Sequence, residues 1–93
     1  MRIADIDILD EDKLWRKHAV YAYEVEEVLW SNATRFYFAE SRHIEGEDVY
    51  RALGQTEDGR FLIVFFIHKR NRTALVVSAR DMTPKERRRY GKK

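Results

Sequence analysis

The spacing of apolar residues changes near residue 31, from a repeat of about 3.6 residues to a repeat of 2. Before that point the pattern predicts two helices. The first follows an N-cap at Asp10 and an acidic first turn, and it ends near Lys17 or His18. The second covers residues 23–30, where an apolar stripe recurs at helical spacing. The acidic segment ahead of both helices, residues 3–8, is either an edge strand or an extended arm.

Four strands are predicted after residue 31, at residues 35–38, 49–56, 61–67 and 73–80. Every residue from 61 to 67 is apolar, which is typical of a central strand covered on both faces. The dipeptide Asp58-Gly59 predicts a tight hairpin before it. Strict alternation in the last strand predicts two faces, one with Leu75, Val77 and Ala79 and the other with Ala74, Val76, Ser78 and Arg80.

A short helix is predicted at the end of the chain. Thr83, Pro84 and Glu86 supply an N-cap, a proline at the first helical position and the acid of a capping box, and the helix ends near Tyr90. The predicted fold is therefore α+β: two N-terminal helices, a four-stranded antiparallel meander and a short C-terminal helix, with the helices on one face of the sheet. A chain of 93 residues predicts a single domain over residues 1–93.

Composition excludes several classes of protein. The longest apolar run has seven residues, far fewer than the ~20 of a membrane-spanning helix. The first twelve residues lack the apolar core of a signal peptide. The chain has no cysteine, which excludes disulfides, thiolate zinc sites and cysteine nucleophiles. These features predict a cytoplasmic protein without a membrane partner.

Charge is distributed unevenly along the chain. The net charge is −4 over residues 1–29, −2 over residues 30–67 and +8 over residues 68–93. Such a distribution suggests a polyanion as partner for the basic part and a basic partner for the acidic part. The alternative is that the last ten residues are simply a solvated basic tail.

Basic residues of the strands and turns are the main candidates for chemistry. The predicted meander brings onto one sheet Arg51, Arg60, Lys69, Arg70, Arg72 and Arg80, with Arg87, Arg88 and Arg89 following in the last helix. Arg51 is the strongest candidate. It shares one face of its strand with Val49 and Leu53, and these apolar neighbours predict that this face points into the protein. Several guanidinium groups together could hold a phosphodiester and stabilise its pentacovalent transition state. Each arginine taken singly is more simply a surface residue, whereas the basic C-terminal part favours an anion site for the group.

Histidines and tyrosines are the remaining candidates. His18, His43 and His68 are 25 residues apart, and none has a second ligand at helical spacing, so no metal site is predicted. His68 is either a proton shuttle or a hydrogen-bonded residue at the sheet rim. His18 at a helix end is typical of a dipole partner, and His43 is expected to face solvent. Three tyrosines could stack on bases, namely Tyr37, Tyr50 and Tyr90.

Five segments of the chain together resemble the BrnT family of bacterial type II toxins, which share the RelE-like ribonuclease fold. They are Lys17-His18-Ala19-Val20, Glu24-Val25-Glu26-Glu27-Val28, Asp58-Gly59-Arg60, Val77-Ser78-Ala79-Arg80 and Glu86-Arg87-Arg88-Arg89-Tyr90. The resemblance covers about residues 13–90. One departure is Ala19, since the family usually has glycine after Lys-His.

The resemblance implies a metal-independent endoribonuclease that cleaves mRNA without a cofactor. It also implies a ribbon-helix-helix antitoxin of the BrnA type, and it leaves room for a toxin homodimer within the toxin–antitoxin complex. The residues that match the family's active site are Arg51, Arg60 and Arg80, with Lys17 and His18 at the first helix. The C-terminal motif places Arg87 and Tyr90 in either a catalytic or a structural role, and both are also expected to bind RNA. Lys69, Arg70 and Arg72 are added as RNA-binding residues from their charge.

Two hypotheses account for most of these features, and a third, a structural subunit whose basic tail docks on an acidic partner, explains less of the placement of the arginines. RNA carries its own nucleophile, the 2′-hydroxyl, so a ribonuclease needs only positioning, charge stabilisation and proton transfer. In this hypothesis Arg51 and Arg80 stabilise the phosphate, and His18 or His68 assists proton transfer. The alternative is a non-catalytic module, such as a degenerate toxin, that uses the same arginines to bind nucleic acid or a partner protein.

Overall fold

The computed structural model describes residues 1–42, 44 and 46–91. These residues form the strands β1 (Asp5–Ile8), β2 (Arg35–Glu40), β3 (Val49–Gln55), β4 (Phe61–His68) and β5 (Thr73–Asp81), and the helices α1 (Glu11–His18), α2 (Ala22–Trp30) and α3 (Pro84–Gly91). The predicted helices and the four predicted strands are present, with ends that differ by one or two residues. His43, which was expected to face solvent, lies outside the described residues.

The sheet has five strands in the order β1-β5-β4-β3-β2. Strands β2 to β5 form the predicted antiparallel meander, whereas β1 pairs parallel to β5, from Asp5 opposite Thr73 to Ile8 opposite Val76. The predicted meander is therefore present, but the sheet as a whole is mixed rather than antiparallel, because Asp5–Ile8 adds an edge strand, one of the two alternatives for residues 3–8. A parallel neighbour needs a long crossover connection, so no local turn signal marks this pairing in the sequence.

The helices lie on both faces of the sheet. Helices α1 and α2 cover a core formed by Leu14, Val20, Val25, Val28, Leu29, Ala52, Leu62, Val64, Phe66, Ala74, Val76 and Ala79. The opposite face has a smaller cluster of Leu53, Ile63 and Met82, packed against Tyr37, Phe61, Phe65 and Tyr90. Because Tyr90 belongs to α3, the prediction that all helices share one face is wrong for α3. Met82, two residues before α3, directs the helix to this face. Its side chain is buried in the second cluster, and its backbone N–H donates to the Phe61 carbonyl.

A β-bulge in β5 changes which side chains share a face. Phe65 pairs with Ser78 while the next residue, Phe66, pairs with Val76, so Val77 is an extra residue on β5. Alternation restarts after Val77, and Arg80 comes to lie opposite Ile63 on the α3 face. The predicted grouping of Val77 with Ala79 and of Arg80 with Val76 is therefore wrong.

Helix α1 begins and ends with clear caps. The Asp10 side chain accepts a hydrogen bond from the Lys13 N–H at 3.0 Å, as predicted for an N-cap. At the other end Ala19 has a left-handed backbone with φ of 52°, and its N–H bonds the Trp15 carbonyl. Glycine is the usual residue in this conformation, because a Cβ atom crowds the following carbonyl.

Replacing Ala19 with glycine is therefore expected to stabilise the protein by about 1 kcal/mol. The free energy of unfolding from urea denaturation measures the effect. Ala22→Gly is the matched control, because Ala22 is the first residue of α2 and gains nothing from a left-handed preference. Equal or lower stability of Ala19→Gly would show that the backbone at this position carries no strain.

Candidate functional site

Two cross-strand rows of side chains define the sheet face beneath α3. One row is Tyr37, Arg51, Phe65 and Ser78, and the next is Arg35, Leu53, Ile63 and Arg80. Residues paired across neighbouring strands point to the same face of a sheet. Arg51 and Arg80 therefore share a face, although they come from strands separated by β4.

Three arginines of this face form cation–π contacts with aromatic rings. The guanidinium carbon of Arg51 lies 5.6 Å from the centre of the Tyr37 ring, and that of Arg89 lies 4.7 Å from the same ring. The guanidinium carbon of Arg80 lies 5.6 Å from the centre of the Phe65 ring. Cation–π contacts orient a guanidinium group and leave its charge and N–H donors available.

Helix α3 adds two further cations. Lys85 and Arg89 are one helical turn apart and therefore project from one side of α3. Both line a cavity of about 230 Å³, together with Tyr37, Arg51, Leu53, Ile63, Thr83 and Glu86. Within the described part of the chain, neither Arg51 nor Arg89 forms an ion pair with a carboxylate. We call the group of Arg51, Arg80, Lys85, Arg89, Tyr37 and Phe65 the arginine face.

Arg89 was among the basic candidates identified in the sequence, whereas Lys85 and Phe65 were not. The spacing of Lys85 and Arg89 by four residues was a usable signal, because such residues share one side of a helix. Phe65 gave no signal, since an apolar residue in a central strand is most simply part of the core.

Arg80 is held by Glu86. Its Nη1 and Nη2 atoms donate to the two carboxylate oxygens of Glu86 at 2.8 and 3.0 Å. The same carboxylate accepts from the Thr83 N–H at 2.8 Å, and the Thr83 hydroxyl oxygen accepts from the Glu86 N–H, so the predicted capping box is confirmed. The hydrogen bond from Arg80 lowers the pKa of Glu86 from 4.5 to about 2. Glu86 thus joins the start of α3 to the end of β5.

This pair predicts a specific loss of stability in acid. Because the pKa of Glu86 is lower in the folded state, its contribution is complete above about pH 4.5 and is lost as the pH falls towards 2. Wild-type unfolding free energy should therefore fall more steeply across this range than that of Glu86→Gln, in urea titrations at stepped pH. Glu40→Gln is the control, because Glu40 is well exposed and, among residues 1–42, 44 and 46–91, forms one ion pair, with Arg42 at 3.6 Å. Parallel curves for wild type and Glu86→Gln would contradict the role given to this pair.

Arg60 lies on the other face of the sheet. It donates to Asp81 at 2.7 Å, to Glu24 at 3.0 Å, and to the carbonyls of Ala19 and His18 at 2.8 and 3.1 Å. These contacts tie the ends of α1 and β5 to α2, and the hydrogen bond with Asp81 raises the pKa of Arg60. Of the three arginines that match the family's active site, Arg51 and Arg80 therefore share a face, whereas Arg60 does not join them in a common anion site.

Lys17 and His18 lie at the edge of β5. They line a cavity of about 160 Å³ with Ser78 and Val77, beyond the point where β1 stops pairing. Ser78 is the last member of the row that contains Arg51. Helix α1 packs on the opposite face, so these two residues approach the row that contains Arg51 through Ser78, at the free edge of the sheet.

Three predicted RNA-binding residues lie far from this group. Lys69, Arg70 and Arg72 belong to the turn between β4 and β5, at the opposite end of these strands from α3. Lys69 pairs with Glu47 at 2.7 Å, and Arg72 has a left-handed backbone with φ of 67°. The eight residues of β4 separate this turn from α3 by about 25 Å.

His68 and Tyr50 belong to the face covered by α1 and α2. The His68 Nε2 atom lies 2.8 Å from the Arg2 carbonyl oxygen, and its ring meets Tyr50 edge-on. Tyr50 also stacks on the buried ring of Phe66. Of the two alternatives for His68, the structure favours the hydrogen-bonded residue at the sheet rim.

Arg87 and Tyr90 pack around Phe61. The Arg87 guanidinium carbon lies 4.2 Å from the centre of the Phe61 ring, and Tyr90 meets that ring edge-on at 6.1 Å. Both contacts attach α3 to the sheet, and Tyr90 belongs to the small apolar cluster of that face. The geometry thus supports a structural role for both residues.

No group of three or more histidine, aspartate or glutamate side chains within residues 1–42, 44 and 46–91 is arranged to hold a metal ion. No helix in the described part of the chain is long and apolar enough to span a membrane.

The fold and the site define a small α+β domain in which guanidinium groups cluster against aromatic rings. Surfaces of this kind are suited to binding a phosphate backbone. The sequence model of one family, described as the ribonuclease toxin BrnT of type II toxin–antitoxin systems, matches residues 10–86. The chain therefore belongs to the BrnT family of ribonuclease toxins, and this membership implies an antitoxin protein as partner. No curated protein sequence matches the chain.

Proposed function

We propose that the arginine face binds RNA and cleaves mRNA by attack of the 2′-hydroxyl on the adjacent phosphate. The observation that carries this proposal is the placement of Arg51 and Arg80 on one face, on either side of Phe65 and next to the cations of α3. Two of these cations, Arg51 and Arg89, rest on Tyr37 and have no carboxylate partner among the described residues. Such a surface attracts a polyanion and offers forked donors to phosphate oxygens.

The reaction needs charge stabilisation and two proton transfers. The 2′-oxygen attacks phosphorus and loses its proton to a base, while the 5′-oxygen leaves and takes a proton from an acid. The products are a 2′,3′-cyclic phosphate and a 5′-hydroxyl end. Because the nucleophile belongs to RNA, we propose that the enzyme requires neither a metal nor another cofactor.

The proposed roles follow the positions of the side chains. Arg51 and Arg80 stabilise the charge that develops on the phosphate oxygens, and the Tyr37 ring, against which Arg51 and Arg89 lie, orients these two guanidinium groups rather than stacking on a base. His18 assists proton transfer from the free edge of β5, with Lys17 binding phosphate beside it. Arg60 remains a predicted catalytic residue, but its four hydrogen bonds on the opposite face support a structural role instead.

The outlying residues have weaker roles in this proposal. RNA that follows β4 and β5 away from α3 would meet Lys69, Arg70 and Arg72 after about 25 Å, or roughly four nucleotides of extended chain. Contacts there would add affinity and salt dependence without affecting the chemical step. Arg87 and Tyr90 would act on RNA binding through the placement of α3.

We also propose the finer features of the family resemblance for this chain. The helix pair before the meander and the short helix after it support a RelE-like fold within a single domain, residues 1–93. The proposed antitoxin is a ribbon-helix-helix protein of the BrnA type, in a complex that contains a toxin homodimer. The proposed location is the cytoplasm, where mRNA is found.

A second candidate function is non-catalytic binding of nucleic acid or a partner protein. It is favoured by the Arg80–Glu86 pair, which occupies two donors of one proposed catalytic arginine. It is also favoured by the position of His68. This residue was one of the two candidates for proton transfer, and it lies on the face of the sheet opposite the arginine face. A degenerate toxin would keep the arginine face and lose turnover.

Incubation of the purified protein with end-labelled single-stranded RNA in the presence of EDTA distinguishes the two functions. The ribonuclease proposal expects cleavage in EDTA and fragments that end in 2′,3′-cyclic phosphate and 5′-hydroxyl groups. Binding that weakens with salt, without any fragments, would support the non-catalytic alternative. Cleavage that appears only after a divalent metal is restored would contradict the proposed mechanism.

A further inference from the structure

A second exposed surface of the molecule lies on α1 and α2, on the side of the sheet opposite the arginine face. It is formed by Trp15, Tyr21, Tyr23, Glu26, Glu27 and Trp30, and we call it the acidic aromatic surface. Its four aromatic residues are each about half exposed, at 47%, 48%, 52% and 51%. Large aromatic residues exposed together in this way mark an interaction surface.

The rings at one end of this surface are already ordered. Trp15 and Tyr21 stack with ring centres 4.4 Å apart, and Tyr21 and Tyr23 stack at 5.6 Å, with interplanar angles of 25° and 22°. The stack joins the middle of α1 to the first turn of α2 across their connection. Binding to such a preorganised stack costs little side-chain entropy.

Carboxylates alternate with the rings along α2. Tyr23 and Glu27 are one turn apart, as are Glu26 and Trp30. These four residues line a cavity of about 620 Å³ between α2 and the end of β3, which is completed by Ser31, Gln55, Thr56 and Glu57. Among the residues that the structure describes, this lining contains three glutamates and no lysine or arginine.

The charge of this surface indicates the chemistry of what it binds. A cavity with three carboxylates repels RNA, so the surface is separate from the proposed catalytic function in charge as well as in position. Exposed aromatic rings beside carboxylates are suited to lysine and arginine side chains, which gain a cation–π contact and an ion pair together. The occupant is therefore a cationic protein segment rather than nucleic acid.

We propose that the acidic aromatic surface docks a lysine- and arginine-bearing segment of the antitoxin. The antitoxin is the protein partner that membership of the BrnT family implies, so the proposal rests on that membership and not on the ribonuclease mechanism. Arginine or lysine side chains of the segment would lie against Tyr23 and Trp30 and pair with Glu26 and Glu27. This contact anchors the antitoxin on the face away from Arg51, and it would raise the effective concentration of any other antitoxin segment that reaches a second part of the toxin.

The test measures the affinity of the purified toxin for the purified protein encoded beside its gene, by titration calorimetry at two salt concentrations. Glu26→Lys and Trp30→Ala are each expected to weaken binding by about tenfold or more, as for central residues of an interface. The matched controls are Glu40→Lys and Phe38→Ala, an exposed acid and an exposed aromatic residue on β2, and binding should change less than twofold. Cleavage of RNA by the free toxin should be the same in all four variants.

Unchanged affinity in both Glu26→Lys and Trp30→Ala would overturn the proposal. Sedimentation of the toxin alone checks for a second copy as occupant, and a toxin dimer that these same variants dissociate would also overturn it. If Glu26→Lys fails to fold, Glu26→Gln removes the charge without changing the size of the side chain, and its binding should lose part of the wild-type salt dependence. Lost RNA cleavage with normal antitoxin binding would count against the ribonuclease mechanism and leave this surface assignment standing.

Discussion

Replacing Arg51 with alanine is expected to lower kcat/KM for RNA cleavage by about 100-fold or more, the effect of removing one donor from a preorganised anion site. The Arg51 guanidinium lies on Tyr37 and forms no ion pair in the described part of the chain, so its donors are available to a phosphate. The loss should fall mainly on kcat, since the charge on the phosphate oxygens increases only in the transition state.

Arg51 is a better probe than Arg80 for this purpose. Its side chain is half-buried on the sheet surface and has no carboxylate partner among the described residues, so alanine leaves no buried charge behind. Removing Arg80 would also release Glu86, which caps α3, and would mix loss of catalysis with movement of the helix. The free energy of unfolding of Arg51→Ala should stay within about 0.5 kcal/mol of wild type.

Arg51→Lys and Arg42→Ala complete the experiment. Lysine keeps the charge but not the forked donors, so Arg51→Lys should recover part of the lost rate. Arg42 is an exposed arginine outside the arginine face, and Arg42→Ala should cleave RNA at a rate within twofold of wild type. A wild-type rate in Arg51→Ala, measured with single-turnover kinetics in EDTA, would remove the arginine face from the catalytic mechanism.

Local signals in the sequence were sufficient to predict most of the helices and strands. Asp10, the Asp58-Gly59 turn and the Thr83–Glu86 capping box each act within four residues, and each marks an element end in the structure. The parallel pairing of β1 with β5 joins residues about 70 positions apart, and neither strand shows it locally. The position of α3 depends on which face of the sheet buries Met82. The alternation of apolar and polar residues in β5 does not predict that face.

The candidate site was harder to predict because it depends on register. Arg51 was identified from alternation within a single strand, which is local information. Arg80 joins it only because the extra residue Val77 reverses the alternation of β5, and without that bulge Arg80 would point towards α1 and α2. Arg60 shows the opposite case, since its charge and its place in a motif suggested a catalytic role, whereas its partners come from three distant elements.

Replacing Arg60 with methionine is expected to destabilise the protein by about 3 kcal/mol, because it removes one partner of a partly buried ion pair. Methionine keeps the apolar part of the side chain, so the loss is that of the hydrogen bonds. Glu24 is 8% exposed and would be left with a buried negative charge, while the carbonyls of His18 and Ala19 would lose their donor. Thermal and urea denaturation measure this change.

Activity measured on the same variant separates the structural role of Arg60 from the catalytic role that the sequence predicts. At a temperature well below its melting point, Arg60→Met should cleave RNA at a rate close to wild type. Asp81 and Glu24 lie on the face opposite Arg51, and Arg60 binds the backbone carbonyl of His18 rather than its imidazole ring. Arg42→Met is the control for loss of an exposed arginine and should change the free energy of unfolding by less than about 0.5 kcal/mol. Normal stability with a large loss of cleavage would reverse the assignment, since only direct contact with RNA would then explain why this side chain matters.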